Sequence, residues 1–167
     1  QQKMTAKIVL EPVARNTAPA IAAAAELALS YGEDPVLLIL AADHIIQQQQ
    51  AFNQAIEVGL AEAETGKMVT FGVVPDSPEI GYGYIKSSNP VKPNKPLQAY
   101  KIETFVEKPN LTTAQEYLAN GSYLWNSGMF MFKADIYLKE LQQYANDIYN
   151  SCHLAMQETR SDLDFIR

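Results

Sequence analysis

The stretch "YLWNSGMFMFKADIYLKEL", residues 123–141, reads as a buried strand running directly into an amphipathic helix. Its apolar run is interrupted by a polar step, Asn126-Ser127-Gly128, between Trp125 and Met129. A packed strand gains nothing from an asparagine and a glycine at that point. The step therefore marks a place where the chain does something other than pack.

On either side of it, strand-like runs alternate with helix-like ones along the whole chain. "KIVLEP" (7–12) is a short strand ended by Pro12, and "NTAPAIAAAAELALSYG" (16–32) is a helix that Asn16 or Thr17 can cap. Pro19 is tolerable in its first turn, and Gly32 stands where a stop is expected. "PVLLIL" (35–40) is a continuous apolar run, the pattern of a central parallel strand covered on both faces. A second helix, "QQQAFNQAIEVGLAEAETG" (48–66), leads to a buried strand, "MVTFGVV" (68–74). "YGYIKSS" (82–88) and "AYKIETFVEKP" (99–109) read as strands joined by a proline-rich excursion, "NPVKPNKP". A short helix, "TTAQEYLANG" (112–121), precedes the opening stretch, and a last helix starts near Ala134. This order predicts an α/β fold: a doubly wound, mainly parallel mixed sheet with flanking helices and an antiparallel segment inserted from about 80 to 108.

Composition narrows the function. A chain of 167 residues can bury about 70% of its unfolded surface. Hydrophobic residues make up 47% and charged residues 19%, as in ordinary globular proteins. No apolar run approaches the roughly 20 residues that span a bilayer. The chain begins Gln1-Gln2-Lys3, with neither an initiator methionine nor a signal-peptide pattern. The single cysteine, Cys152, cannot form an internal disulfide, which fits a reducing cytoplasm. A net charge of −6 without a run of Lys or Arg argues against a nucleic-acid surface. An acidic chain still binds a phosphorylated small molecule where local groups or a metal supply positive charge.

Four clusters can carry chemistry. Asp43, in "LILAADHII", lies just past the C-terminal end of a strand, where open α/β sheets place ligands. A carboxylate there suits Mg²⁺, or else caps the following helix; His44 suits a structural hydrogen bond better than Mg²⁺. Glu11, Arg15, Asn16 and Thr17 sit between a strand end and a helix N-terminus, which favours anions; a capping cluster with a solvated arginine is the alternative. "GYGYI" (81–85) lets backbone approach a ligand at its glycines, or simply makes a hairpin turn. "FVEKP" (105–109) ends a strand with Glu107 and Lys108, which point to opposite faces unless the strand bends there. If it bends, one can hold sugar hydroxyls and the other a phosphate; an exposed strand end is the alternative.

Taken in order, "EPVARNTAPAIAAAA", "LILAADHII", "PEIGYGYI", "FVEKP" and "YLWNSGMFMF" resemble the motif series of the mannose-1-phosphate guanylyltransferases. The resemblance runs over roughly residues 7 to 150 and is strongest to the bacterial form, often fused to a phosphomannose isomerase domain. It implies a glycosyltransferase-A-like, Rossmann-related fold. It also implies synthesis of GDP-mannose and pyrophosphate from GTP and mannose 1-phosphate, with Mg²⁺. By the same resemblance Asp43 is the metal ligand and, with Lys108 near the sugar phosphate, catalytic. Glu11, Arg15, Asn16 and Thr17 fall in the guanine-recognising segment. Tyr82 and Gly83 form the sugar-side turn, Glu107 holds sugar hydroxyls, and Asn126 contacts the sugar. On that reading Asn126 and Gly128 interrupt the strand because its end lines the sugar pocket, the asparagine donating and accepting and the glycine letting the ring pass. Trp125, Met129, Phe130 and Phe132 are expected in the core.

The family's GGxGTRLWPLS-type phosphate loop, its Pro-Lys-Gln segment and its later Trp-x-Asp-Val-Gly-type segment are absent, and Ile80 stands where a threonine is common. Residues 1–167 are therefore expected to be a partial nucleotidyltransferase domain, truncated at the N-terminus and inactive by itself. A missing first strand would bare an apolar sheet edge, which leaves a homo-oligomer open. A uridylyl- or thymidylyltransferase, and a non-catalytic sensor of sugar nucleotides, are the competing readings.

Overall fold

The computed structural model describes residues 6–89 and 97–166; the opening Gln1-Gln2-Lys3 and nearly all of the proline-rich excursion lie outside them. The chain divides into two compact units, the segment up to Leu37 with that from Phe132 onward, and Leu38–Met131. Two strands, β2 (Val36–Ile39) and β6 (Tyr123–Lys133), run through the points of division.

The first unit is built on three helices. Helix α1 (Thr17–Leu29) presents Ala22 and Ala25, both fully buried, to α4 (Ala134–Tyr144) and α5 (Asn146–Gln157). Alanine at these positions lets helix backbones approach closely while favouring the helix itself. Phe132 is 1% exposed and stacks on Tyr137 with ring centres 4.9 Å apart. The Tyr137 hydroxyl donates to the Ala18 carbonyl at 2.9 Å, tying α4 to the first turn of α1. The expected last helix is in fact two, broken at Ala145, whose backbone leaves the helical region (φ −147°, ψ 58°). A small sheet completes this unit: β1 (Ile8–Val9) pairs parallel with β8 (Phe165–Ile166), which pairs antiparallel with β7 (Ser161–Asp162). Nothing in the short sequence 161–166 announces these strands, and Leu163 turns between them with φ 56°.

The second unit is organised around β6. It contains α2 (Gln49–Ala63), β3 (Val69–Val73), β4 (Gly83–Ser87), β5 (Ile102–Glu107) and α3 (Leu111–Asn120). The strand order is β2-β6-β4-β5, with β3 also on β6. The pairings of β3 with β6, β4 with β6, and β4 with β5 are antiparallel. Antiparallel pairing thus extends beyond the 80–108 segment expected to carry it. Tyr84, fully buried, and Ile85 and Met131, nearly so, form the core of this sheet. Helix α3 is closed at both ends, by the Asn110 side chain accepting from the Thr113 N–H at 2.9 Å and by Gly121 at φ 73°.

Two expectations change. The "PVLLIL" run forms β2, but every residue of that strand is half-buried and Leu40 beyond it is 49% exposed. It is not a strand covered on both faces. Of the four apolar residues flanking the polar step, Phe132 is core, whereas Trp125, Met129 and Phe130 are half-buried.

Candidate active site

The polar step in β6 is a bulge. Thr70 stands opposite Phe130, and two residues further along β3 Gly72 stands opposite Asn126, so two steps of β3 face four of β6. The excess is accommodated at Ser127–Met129, with Gly128 at φ 71°. An added Cβ at Gly128 would meet nothing within 4 Å, so glycine is required there by backbone conformation, not by crowding from the protein. Ser127 donates from its hydroxyl to the Phe71 carbonyl at 2.6 Å and accepts from the Met129 N–H at 3.2 Å. These bonds satisfy backbone groups that the bulge takes out of the ladder.

Asn126 is held by the same bulge. Its Oδ1 accepts from the Gly128 N–H at 3.2 Å and from the Thr70 hydroxyl at 3.1 Å. The side chain is therefore not the two-way donor and acceptor expected from the sequence: its oxygen is engaged by protein and its amide N–H groups remain. The sequence does not point to Thr70. It is the one hydroxyl in an otherwise apolar strand, and the 56 residues separating it from Asn126 hide the pairing.

Beside Asn126 the sheet places Gly83 and Glu107, with Tyr82 and Lys108 next to them in the chain. Gly83 on β4 is in register with Glu107 on β5. A Cβ on Gly83 would lie 2.8 Å from Glu107 Oε2 and 3.6 Å from Asn126 Cβ. Gly83 is buried and forms the floor between a carboxylate and an amide. Tyr82 packs edge-on against Trp125 with ring centres 5.3 Å apart. Its carbonyl accepts from the Lys108 N–H at 3.2 Å. The buried Tyr84 hydroxyl donates to the Glu79 carbonyl at 2.9 Å, which pins the turn leading into Gly83. The strand does bend after Glu107: Lys108 has φ 45°, and its Nζ reaches Glu107 Oε1 at 3.6 Å. Glu107 and Lys108 are thus partners, contrary to the alternation expected within a strand. Both are well exposed, so their mutual attraction is weak and either can be drawn to a ligand.

Asp43 lies in a turn beyond β2, six residues before α2 begins at Gln49. It does not cap that helix, whose N-cap is Gln48. Its side chain is 88% exposed, and His44 Nε2 is 3.9 Å away, too far for a hydrogen bond. No hydrogen bond or ion pair among the described residues joins Asp43 to the Gly83, Glu107 and Asn126 group. No cluster of three or more His, Cys, Asp and Glu side chains among the described residues is arranged to hold a metal. Asp43 can supply one oxygen donor, which suits a hard cation that keeps water and phosphate oxygens in its other positions.

The other four nominated residues belong to the first unit. Glu11, Arg15, Asn16 and Thr17 are all exposed. Thr17 opens α1, and Asn16 is its N-cap but makes no side-chain cap. Asn16 instead has φ 75° and ψ −178°, a region used almost only by glycine. Asn16 and Lys108 are thus two of the three non-glycine residues with positive φ among the described residues. Strain of this kind persists where surrounding structure enforces it, commonly at ligand sites.

In this α/β unit a glycine, a carboxylate and an amide come side by side where β4, β5 and β6 adjoin. The chain belongs to the nucleotidyl transferase family, whose profile matches residues 1–167. It is 51% identical over 167 residues to a mannose-1-phosphate guanylyltransferase of Escherichia coli strain K12, covering 99% of this chain and 35% of that protein. It is 51% identical over 160 residues to the xanthan biosynthesis protein XanB of Xanthomonas campestris pv. campestris, covering 96% and 33% respectively. Among solved structures, one described as mannose-6-phosphate isomerase from Helicobacter pylori superposes with a TM-score of 0.79 at 34% identity, over 95% of this chain and 58% of that one. The chain spans about a third of the length of the curated relatives it matches. Among the described residues no helix is long and apolar enough to cross a membrane.

Proposed function

We propose that this chain is part of a mannose-1-phosphate guanylyltransferase, which makes GDP-mannose and pyrophosphate from GTP and mannose 1-phosphate. The observation that carries the reading is the meeting of Gly83, at the start of β4, Glu107, at the end of β5, and Asn126 within β6. A carboxylate and an amide donor beside a side-chain-free floor suit the hydroxyls of a sugar ring. Its relatives' names supply the sugar and the nucleotide.

In this mechanism an oxygen of the sugar phosphate attacks the α-phosphorus of GTP in line, a new P–O bond forms, and pyrophosphate leaves with the electrons of the broken one. No protein nucleophile is needed, so the residues act by holding two anions together and screening their charge. Lys108 screens the incoming phosphate while Glu107 and Asn126 hold the sugar, with Tyr82 shaping the turn. Glu11, Arg15, Asn16 and Thr17 receive the guanine nucleotide at the uncapped start of α1. A divalent cation, taken as Mg²⁺, would be held by Asp43 and would supply further charge neutralisation at the phosphates. A cytoplasmic setting fits both the substrates and the unpaired Cys152.

The test is an assay of the complete natural polypeptide with mannose 1-phosphate, Mg²⁺ and each of GTP, UTP and dTTP. GDP-mannose and pyrophosphate in equal amounts, with GTP preferred, is the expected result. A preference for UTP or dTTP overturns the guanine assignment, and binding without turnover points to a sensor.

A further inference from the structure

We propose that Thr70 is a positioning residue that fixes the Asn126 amide with its oxygen bound to protein, so that Asn126 meets its ligand as a hydrogen-bond donor only.

The atoms leave little choice. The Gly128 N–H lies 3.2 Å from the Asn126 terminal atom, and an N–H requires an acceptor there, which makes that atom the oxygen. Thr70 Oγ1 is 3.1 Å from the same oxygen and 3.0 Å from the Met129 carbonyl. A hydroxyl carries one hydrogen, so Thr70 shares it between two acceptors belonging to the two ends of the bulge. It thereby closes the bulge across β3 and β6 and saturates Asn126 Oδ1 on the same face. No described protein group accepts from the Asn126 amide N–H groups, which are left for a ligand. Gly83 stands beside that side chain, with its built Cβ position 3.6 Å from Asn126 Cβ.

The consequence concerns recognition. A ligand at Asn126 must offer an oxygen lone pair, and a group that can only donate is excluded. The carboxylate of Glu107, across Gly83, can only accept while ionised. The pair thus reads a sugar by opposite polarity: Asn126 donates to one hydroxyl oxygen, and Glu107 accepts from a hydroxyl hydrogen. This rests on the sugar-binding role proposed above. Thr70 takes no part in holding the sugar directly; it sets which atom of Asn126 faces outward.

The experiment uses the complete natural polypeptide. Thr70→Val removes the hydroxyl with little change of shape, Thr70→Ser restores it, and Asn126→Asp keeps the oxygen that accepts from Gly128 while replacing the outward donor by an acceptor. The expected result is a KM for mannose 1-phosphate raised about tenfold in Thr70→Val. The KM for GTP stays unchanged, and Thr70→Ser returns near wild type. Asn126→Asp loses at least as much as Asn126→Ala. Wild-type sugar-phosphate KM in Thr70→Val, or an Asn126→Asp variant that binds the sugar phosphate normally, overturns the inference and leaves the proposed activity standing. If the wild-type polypeptide makes no GDP-mannose, the functional reading falls instead. The amide orientation is then read from the scalar coupling between the Gly128 nitrogen and the Asn126 side-chain carbonyl carbon. That coupling is expected in wild type and lost in Thr70→Val; its absence from wild type sinks the inference.

Discussion

Gly83 and Glu107 face each other across β4 and β5 so closely that a methyl group on the glycine would stand 2.8 Å from the glutamate Oε2. The contact is with the mobile end of a side chain, so Gly83→Ala is expected to move the carboxylate and leave the sheet intact. Displacing one positioning group by about an ångström costs on the order of 10²-fold where reactants must be aligned. The variant should therefore show a kcat/KM for mannose 1-phosphate lowered about 10- to 100-fold with an unfolding midpoint near wild type. An unchanged kcat/KM would take Glu107 out of the sugar site.

Gly128 separates conformation from contact. Alanine there meets no neighbouring atom, yet must adopt φ 71°, which costs an L-residue about 1–2 kcal/mol. Gly128→Ala is expected to lose that much stability in urea unfolding, and Gly128→Asn distinctly less, since asparagine tolerates this region. Equal losses would mean that the cost arises elsewhere.

Asn16 makes the reverse case. Its backbone sits where strain of about 1–3 kcal/mol is stored, and its side chain does not cap α1. Asn16→Gly should therefore raise stability by about 1 kcal/mol. If the guanine-side role is correct, it should also raise the KM for GTP. A more stable variant with unaltered GTP kinetics would leave Asn16 a strained residue without that role.

Asp43 is exposed and makes no hydrogen bond within the described residues, so Asp43→Ala should not disturb folding. In the complete polypeptide turnover is expected to fall by orders of magnitude, with partial recovery at raised Mg²⁺ concentration. Near-normal turnover would remove this carboxylate from the mechanism.

Burial, with a smaller contribution from Cys152, pushes the Tyr137 phenol from its ordinary 10.0 up to about 12. The folded state thus holds this proton more tightly than the unfolded chain does. Below pH 10 both states are protonated and the contribution is fully present. As pH rises from 10 to 12 the unfolded chain loses the proton first, and stability falls by up to roughly 2 kcal/mol. Urea unfolding of wild type and Tyr137→Phe at pH 8 and 11 should show this extra alkaline loss in wild type alone.

Much of the architecture was legible in the order of apolar runs. Helices α1, α2 and α3 and the five strands from β2 to β6 lie within a few residues of where periodicity and capping signals put them. What was not legible depended on partners distant in sequence. The strands at 161–166 carry no apolar run of their own: Phe165–Ile166 pair with Ile8–Val9, and Ser161–Asp162 pair with Phe165–Ile166. The half-exposed state of β2 depends on what lies against it, which a run of leucines does not encode. At the candidate site, Gly83, Glu107 and Asn126 stand out as glycine or polar residues within or beside apolar runs, while their roles came from the family resemblance. Why Gly72 is a glycine could not be read: its built Cβ position is 2.5 Å from Leu124 Cδ1, a crowding visible only once β3 lies on β6. Thr70 was hidden for the same reason.

The surplus in β6 is two residues, and the bulge absorbs it locally: pairing with β3 resumes with Asn126 opposite Gly72. On its two sides, Trp125 and Phe130 stand opposite Val73 and Thr70. A lineage could therefore gain or lose residues at this point while the strands on either side kept their partners.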